Sequence, residues 1–255
     1  MILLPPSEGK APGGTGPAWS AGTMAVDLDD RRRAVMAALV RAMRGSEARR
    51  RALLGVKGVA LAAATSANRA VAEAPTMPAI ERYTGVLYDA LDHRTLPAAA
   101  RRRLDSSVLV VSGLWGLVAP ADPIPDYKLK MGASLAGTGR LSTWWREPVT
   151  AGLAERAAGR RVWDLLPQEH TAAVGDLGRV ERVSVSFLEP DRSGNLVAVA
   201  HWNKLLKGAL VRHLLQHPTS GPDDLADWDH PEGFRMDPAL SSTVDGRTRI
   251  CLVRR

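Results

Sequence analysis

Cysteine is nearly absent from this 255-residue chain, which has only Cys251. A lone thiol excludes an intrachain disulfide and a cysteine-built zinc site. Its place in the apolar run Ile250-Cys251-Leu252-Val253 reads as that of a buried, inert group. Long hydrophobic runs are missing too: Met1-Ile2-Leu3-Leu4 is cut short by Pro5-Pro6, and no stretch approaches the ~20 apolar residues of a membrane span. The expectation is a cytoplasmic protein with no membrane partner. Internal repeats, low-complexity segments and a disordered basic tail are also lacking, so any contact with nucleic acid has to come from a folded surface.

Lysine is the scarce cation. Six lysines stand against 28 arginines, in a composition rich in Ala, Arg and Gly that resembles the codon supply of a GC-rich genome. An ammonium is a compact point charge with a tunable pKa, whereas guanidinium is a planar, permanently charged fork, so retained lysines mark places where one does not replace the other. All six fall in four short segments: Ser7-Glu8-Gly9-Lys10, Gly55-Val56-Lys57-Gly58, Asp126-Tyr127-Lys128-Leu129-Lys130 and Asn203-Lys204-Leu205-Leu206-Lys207. The formal charge of +7 suits a nucleic-acid or small anionic partner. Part of it lies in the triplets Arg31-Arg32-Arg33, Arg49-Arg50-Arg51 and Arg101-Arg102-Arg103, which read equally as solvated surface.

The pattern along the chain interleaves strands and helices. Ile2-Leu3-Leu4 reads as a short buried strand feeding a polar, Gly- and Pro-rich loop from Pro5 to Gly22, long enough to carry function. Amphipathic spacing predicts a helix from Asp29 to Val40 and another from Glu47 to Leu54, stopped at Gly55, with partial helix over Ile80 to Leu91. Val108-Leu109-Val110-Val111 is a buried run of the parallel-strand type. Val162 to Leu165 and Arg182 to Phe187 are strand-like, and Asp191 to Asn195 is a turn with Leu196 to Ala200 as its hairpin partner. A helix from Trp202 to Gln216 and a hairpin at Asp245-Gly246 follow. The fold expected over residues 1–255 is a single mixed α/β domain, with antiparallel pairing toward the C-terminus.

Several segments offer chemistry. Ser7, Glu8 and Lys10 follow a strand's carboxyl end, where open α/β sheets gather ligands; they form either a base and anion holder or a surface ion pair. In Ser112-Gly113-Leu114-Trp115-Gly116 the glycines admit close backbone approach and Trp115 offers a stacking face, or the segment is a tight turn with Trp115 packed on the sheet. Prolines extend Asp122 to Gly132, so Lys128 and Lys130 point the same way beside Tyr127, fit either to grip phosphate or to guard an edge strand. In the last long helix, Lys204, Lys207 and Arg212 occupy a polar sector behind His201-Trp202-Asn203. His213 and His217 are one turn apart but lack an acidic third ligand at metal-motif spacing, and His170 follows another strand end. Gly55-Val56-Lys57-Gly58 is similar to the turn of a helix-hairpin-helix module with Lys57 at the second glycine position, or simply ends a helix. No metal and no cofactor are expected.

Together these segments resemble the YaaA peroxide-stress family. The match is carried by Arg82-Tyr83-Thr84-Gly85-Val86-Leu87-Tyr88-Asp89-Ala90-Leu91, by Val111 to Pro120 with Tyr127 to Gly132, and by the helix with Lys204 and Lys207-Gly208, in order from end to end. The resemblance implies a cantaloupe-like fold with a positively charged cleft and double-stranded DNA binding through a helix-hairpin-helix-like element. It further implies protection against oxidative damage linked to lower free iron, with Lys10, Tyr83, Ser112, Trp115, Lys128, Lys204 and Lys207 as cleft residues; Lys57, Tyr88, Tyr127, Lys130 and Asn203 join them as candidate ligand or DNA contacts. The opening Pro5-Pro6-Ser7-Glu8-Gly9-Lys10 departs from the family's shorter Ser-Pro-Ala-Lys-like start. An added carboxylate in a basic cleft points to chemistry besides backbone binding. Two readings follow: a DNA-binding protein of oxidative stress, or an enzyme acting on a nucleobase, nucleoside or other small anionic substrate through Ser7, Glu8 and Lys10.

Overall fold

The computed structural model describes residues 1–199, 202–218 and 221–254. Nine strands form one sheet: β1 (Ile2–Leu4), β2 (Val108–Ser112), β3 (Gly116–Val118), β4 (Val162–Asp164), β5 (Arg182–Pro190), β6 (Leu196–Ala198), β7 (Phe234–Met236), β8 (Ser242–Val244) and β9 (Arg247–Arg254). Their spatial order is β7-β9-β5-β4-β1-β2-β3, with β6 also on β5 and β8 also on β9. The inner strands β9, β5, β4, β1 and β2 are parallel, and the outer pairings are antiparallel. β1 and β2 are buried at every position, which is why their sequences are unbroken apolar runs rather than alternating ones. β8 and β9 meet at Asp245-Gly246, both at positive φ as a tight hairpin turn requires. Ala200 and His201 lie outside the described residues.

The helices are α1 (Asp29–Ala42), α2 (Glu47–Leu54), α3 (Gly58–Arg69), α4 (Ala79–Arg82), α5 (Val86–Leu91), α6 (Ala98–Ser107), α7 (Leu141–Ala157), α8 (Gln168–Thr171) and α9 (Asn203–Gln216). α2 ends as its sequence dictates, with Gly55 in the left-handed conformation at φ 67°. α7 is the longest described helix, and Pro148 inside it hides it from a reading by pattern. Proline cannot donate to the carbonyl four residues back. That carbonyl, of Trp144, instead accepts from Arg31 Nη1 at 3.3 Å, and the Arg31 guanidinium lies 4.6 Å from the Trp144 ring centroid.

Strand order decides where a ligand can sit. From β1 the chain next enters the sheet on one side at β2, makes the β3 hairpin, then returns to the opposite side of β1 at β4. Connections that diverge in this way leave a crevice beyond the carboxyl ends of the flanking strands. Here that crevice is bounded by the loop after β1 and by α8 after β4.

α5 and α9 cross at Gly208. A Cβ there would lie 2.3 Å from the Leu87 carbonyl oxygen and 2.7 Å from Ala90 Cβ, so Gly208 serves helix packing. Helix propensity alone favours Gly208→Ala by about 1 kcal/mol, whereas overpacking against backbone costs up to about 3 kcal/mol. The substitution is expected to destabilise the protein, read as a lower midpoint of chemical denaturation; a raised midpoint would show that the crossing is not tight.

Candidate functional site

The loop after β1 is held open by a buried cation. Arg82, at the end of α4, is fully buried. Its guanidinium donates to the carbonyls of Ala11, of Gly13 at 2.8 Å, of Ile124 at 3.3 Å and of Pro75 at 3.4 Å. Its own carbonyl accepts from the Ala11 amide at 2.8 Å, and Lys10 makes a β-bridge with Tyr83. Thr84 N donates to Ser7 Oγ at 3.1 Å, and Tyr88 Oη donates to the Pro5 carbonyl at 2.8 Å. The loop is thus tied at both ends of its first six residues.

Lys10 is set on aromatic rings. Its Nζ lies 4.3 Å from the Tyr127 ring centroid and 5.7 Å from that of Tyr83, and donates to the Ser7 carbonyl at 3.1 Å. Beneath it runs a buried chain of hydroxyls: Tyr83 and Tyr127 are 2.9 Å apart, and Tyr127 and Ser112 2.8 Å. Ser112 Oγ also accepts from the amides of Leu114 and Trp115 at 3.3 Å. Burial holds the Tyr83 and Tyr88 phenols well above the usual tyrosine range and pushes Tyr127 up to about 12. The phenols stay protonated and act as neutral hydrogen-bonding groups.

Burial is also the largest influence on Lys10, lowering its pKa to about 8; Asp126 opposes the shift, Lys128 and Arg82 add to it, and Glu8 opposes it. Around this amine lies a cavity of about 130 Å³ lined by Pro6, Ser7, Glu8, Lys10, Lys128 to Lys130, Glu169 and His170. Lys128 and Lys130 share it because residues 127–131 alternate between buried and more accessible positions. Asn68 fixes that register: its side-chain amide donates to the Lys128 carbonyl and accepts from the Lys128 amide, both at 2.8 Å. Burial lowers the pKa of His170, whose Nδ1 is buried with no partner among the described residues. A second hollow, shared through Lys130 and Glu169, runs on past Gly132 and Arg140 to Ala52 and Leu53 of α2.

Several expected contacts take other roles. Trp115 offers no stacking face: it is fully buried between Trp19, at 5.6 Å between centroids, and Tyr127, at 6.2 Å. Gly113 and Gly116 admit protein rather than ligand, the first facing the Lys130 carbonyl and the second the Trp145 ring. Tyr83, Tyr88, Ser112 and Tyr127 are buried and support the cavity from below. Lys128 and Lys130 lie in an irregular extended segment, not on an edge strand. Asn203, Lys204 and Lys207 do not line the cavity. Lys204 is exposed, and Asn203 Oδ1 is buried without a partner among the described residues. Lys207 donates to the Leu165 carbonyl at 3.0 Å, just past β4; burial lowers its pKa while Asp164 opposes that. Lys57 stands exposed at the start of α3. His213 stacks on Trp228 at 4.4 Å and lies tilted against His217 at 4.5 Å, and burial followed by the His217 charge lowers its pKa to about 4.

Asn68 and Glu169 are residues that sequence reasoning passes over, and Arg82 enters it only as part of the family motif, with no role of its own. Asn68 had a signal: it continues the buried stripe Leu61, Ala64, Thr65 of α3, where a polar residue needs a partner.

Among known proteins, a family model described as peroxide stress protein YaaA matches residues 1–240. A UPF0246 protein of Streptomyces coelicolor is 40% identical over 93% of this chain and 92% of its own length. One of Corynebacterium glutamicum is 36% identical over 84% of each chain, and one of Corynebacterium efficiens 35% identical over 86% of each.

Lys10 binds its proton less tightly in the folded chain, near 8, than the ordinary lysine value of 10.5 that holds when unfolded. The unfolded state therefore carries more protons between those values, so the Lys10 contribution to stability rises with pH from about 8 to 10.5 and is unfavourable below 8. Lys10→Met, which keeps the stem and removes the charge, should raise the unfolding free energy at pH 7 by on the order of 1 kcal/mol, a gain that shrinks as pH rises. A loss at pH 7 in denaturant titrations would mean that the ammonium is favourably held.

Proposed function

Because the chain belongs to the YaaA peroxide stress protein family, we propose that it binds double-stranded DNA during peroxide stress and limits the damage that free iron does there. The reading is carried by one juxtaposition: Lys130 Nζ rests against Gly55, where an added Cβ would lie 2.7 Å from it. Gly55 begins the three-residue turn between α2 and α3, so an ammonium from the cavity wall stands at the tip of a helix-turn-helix pair. Around that tip lie Arg49 and Arg51 of α2 and Lys57, all exposed. Gly58 has positive φ, and the first turn of α3 leaves Val59 88% exposed. A helix N-terminus with unpaired amides beside cations suits a phosphate. The hollow past Lys130 and Arg140 would then follow the DNA backbone as a positively charged cleft.

Backbone neutralisation releases counterions, so affinity must fall steeply with salt, each lost phosphate contact reducing the log–log slope by about 1. Anisotropy titrations of a labelled duplex are expected to show that Lys57→Ala/Lys130→Ala lowers the slope by about 2. Lys207, engaged with the Leu165 carbonyl, should matter less. Salt-insensitive binding that ignores both lysines would overturn the reading.

The enclosed end of the hollow at Lys10 favours a second reading, an enzyme acting on a small anionic or nucleobase-containing substrate through Ser7, Glu8 and Lys10. Glu8→Gln should then abolish turnover and leave duplex affinity unchanged; full turnover in that variant would remove Glu8 as acid or base.

A further inference from the structure

A lysine kept only to hold an anion should be placed where its charge is favoured. Lys10 is placed otherwise. Its ammonium is taken out of water, with Lys128 and Arg82 adding to the cost of its charge and with Asp126 and Glu8 offsetting only part of it, so that an appreciable fraction is the free amine near pH 8. Desolvation beside other cations is how an amine becomes a nucleophile toward carbonyl carbon. Guanidinium cannot take that role, which gives a reason for a lysine at this position in a chain that otherwise uses arginine.

The surroundings fit a specific kind of carbonyl compound. The cavity of about 130 Å³ has room for a short fragment, and through Lys130 it adjoins the hollow toward Arg140. Lys128 and Lys130 line the same wall and can neutralise an anionic group on that fragment, while His170 Nδ1 is a buried polar atom still without a partner among the described residues. The Tyr127 face 4.3 Å from Lys10 Nζ would lie under any cation formed at that nitrogen. An aromatic face stabilises an iminium more than the neutral carbinolamine that precedes it.

We propose that Lys10 is a nucleophilic amine that captures the aldehyde of a phosphorylated sugar as an imine, with Lys128 and Lys130 holding the phosphate. The amine lone pair forms the C–N bond while the carbonyl π pair moves to oxygen. The two N–H protons leave with that oxygen as water, giving R–N=CHR′ with no oxidant or reductant consumed. Two sources share this chemistry: a free sugar phosphate, and the ring-opened deoxyribose of an abasic site in DNA. The inference rests on the cavity as a ligand site, and only the second source rests also on the DNA-binding reading.

The test is borohydride trapping on the full chain, with 2-deoxyribose 5-phosphate in one arm and a duplex bearing a single abasic site in the other, followed by tryptic mass mapping. A reduced adduct on Lys10 blocks cleavage after that residue and yields a peptide running from Met1 to Arg31. The yield should rise with pH through about 8. It should fall at least about tenfold in Lys10→Arg, whose guanidinium stays protonated. Lys10→Met is the second variant in case the larger side chain perturbs folding. Lys128→Gln removes a neighbouring cation and should move the midpoint of the pH profile upward, a change that a merely structural lysine would not produce.

Trapping of the free sugar phosphate alone supports the imine and removes DNA as its source; trapping of the abasic duplex supports both. Failure of both arms overturns the proposal, and salt-steep binding of an intact duplex in the same preparation would show that the DNA-binding reading survives it. Adducts confined to the Met1 amine, or undiminished in both Lys10 variants, overturn it as well.

Discussion

The Arg82 guanidinium has no water to face, and the structure meets its donors with main-chain oxygens from three separate stretches of chain. A buried charge left unpaired is expensive, so this arrangement persists only if all its acceptors are held in place together. Burial lowers the Arg82 pKa, and Asp126 offsets part of that effect. The planar fork suits the task because its donors diverge in fixed directions, toward Ala11 and Gly13 on one strand-like segment and Pro75 and Ile124 on others. Two of the contacts that position Lys10 adjoin this junction, the bridge to Tyr83 and the Ala11 amide that donates to the Arg82 carbonyl.

The site combines fixed and tunable charge. Arg82 and Arg32 are structural cations buried against carbonyls, Arg32 joining α1 to the Trp115 and Leu117 carbonyls at 3.0 and 2.9 Å. Lys10, Lys128 and Lys130 gather on one cavity from two segments more than a hundred residues apart in sequence, and burial makes the charge of Lys10 the tunable one. The cost of keeping Lys10 out of water falls on global stability at neutral pH, and the same desolvation makes its nitrogen reactive.

Much of the architecture was legible because its signals are local. Unbroken apolar runs gave β1 and β2, Gly55 ended α2, and Asp245-Gly246 turned the last hairpin. The scarcity of lysine drew attention to Lys10, Lys128 and Lys130, which the fold does assemble. What could not be read depends on contacts distant in sequence. α7 contains a proline whose freed acceptor is satisfied by Arg31, from another helix. Trp115 looked like a ligand platform because a Trp beside two glycines reads the same whether the space around it is open or filled by Trp19, Tyr127 and Trp145. Lys207 looked like an anion contact because the carbonyl that occupies it belongs to a different strand end.

The crossing of α5 and α9 at Gly208 has a reach beyond its own packing. α5 carries Tyr88, whose hydroxyl holds the Pro5 carbonyl on one side of the crevice; α9 carries Lys207, whose ammonium holds the Leu165 carbonyl on the other. Neither helix lines the cavity. Together they behave as the pivot of a pair of calipers: the jaws are the loop after β1 and the turn after β4, and the gauge between them is set by how closely two helix backbones meet at a residue that has no side chain.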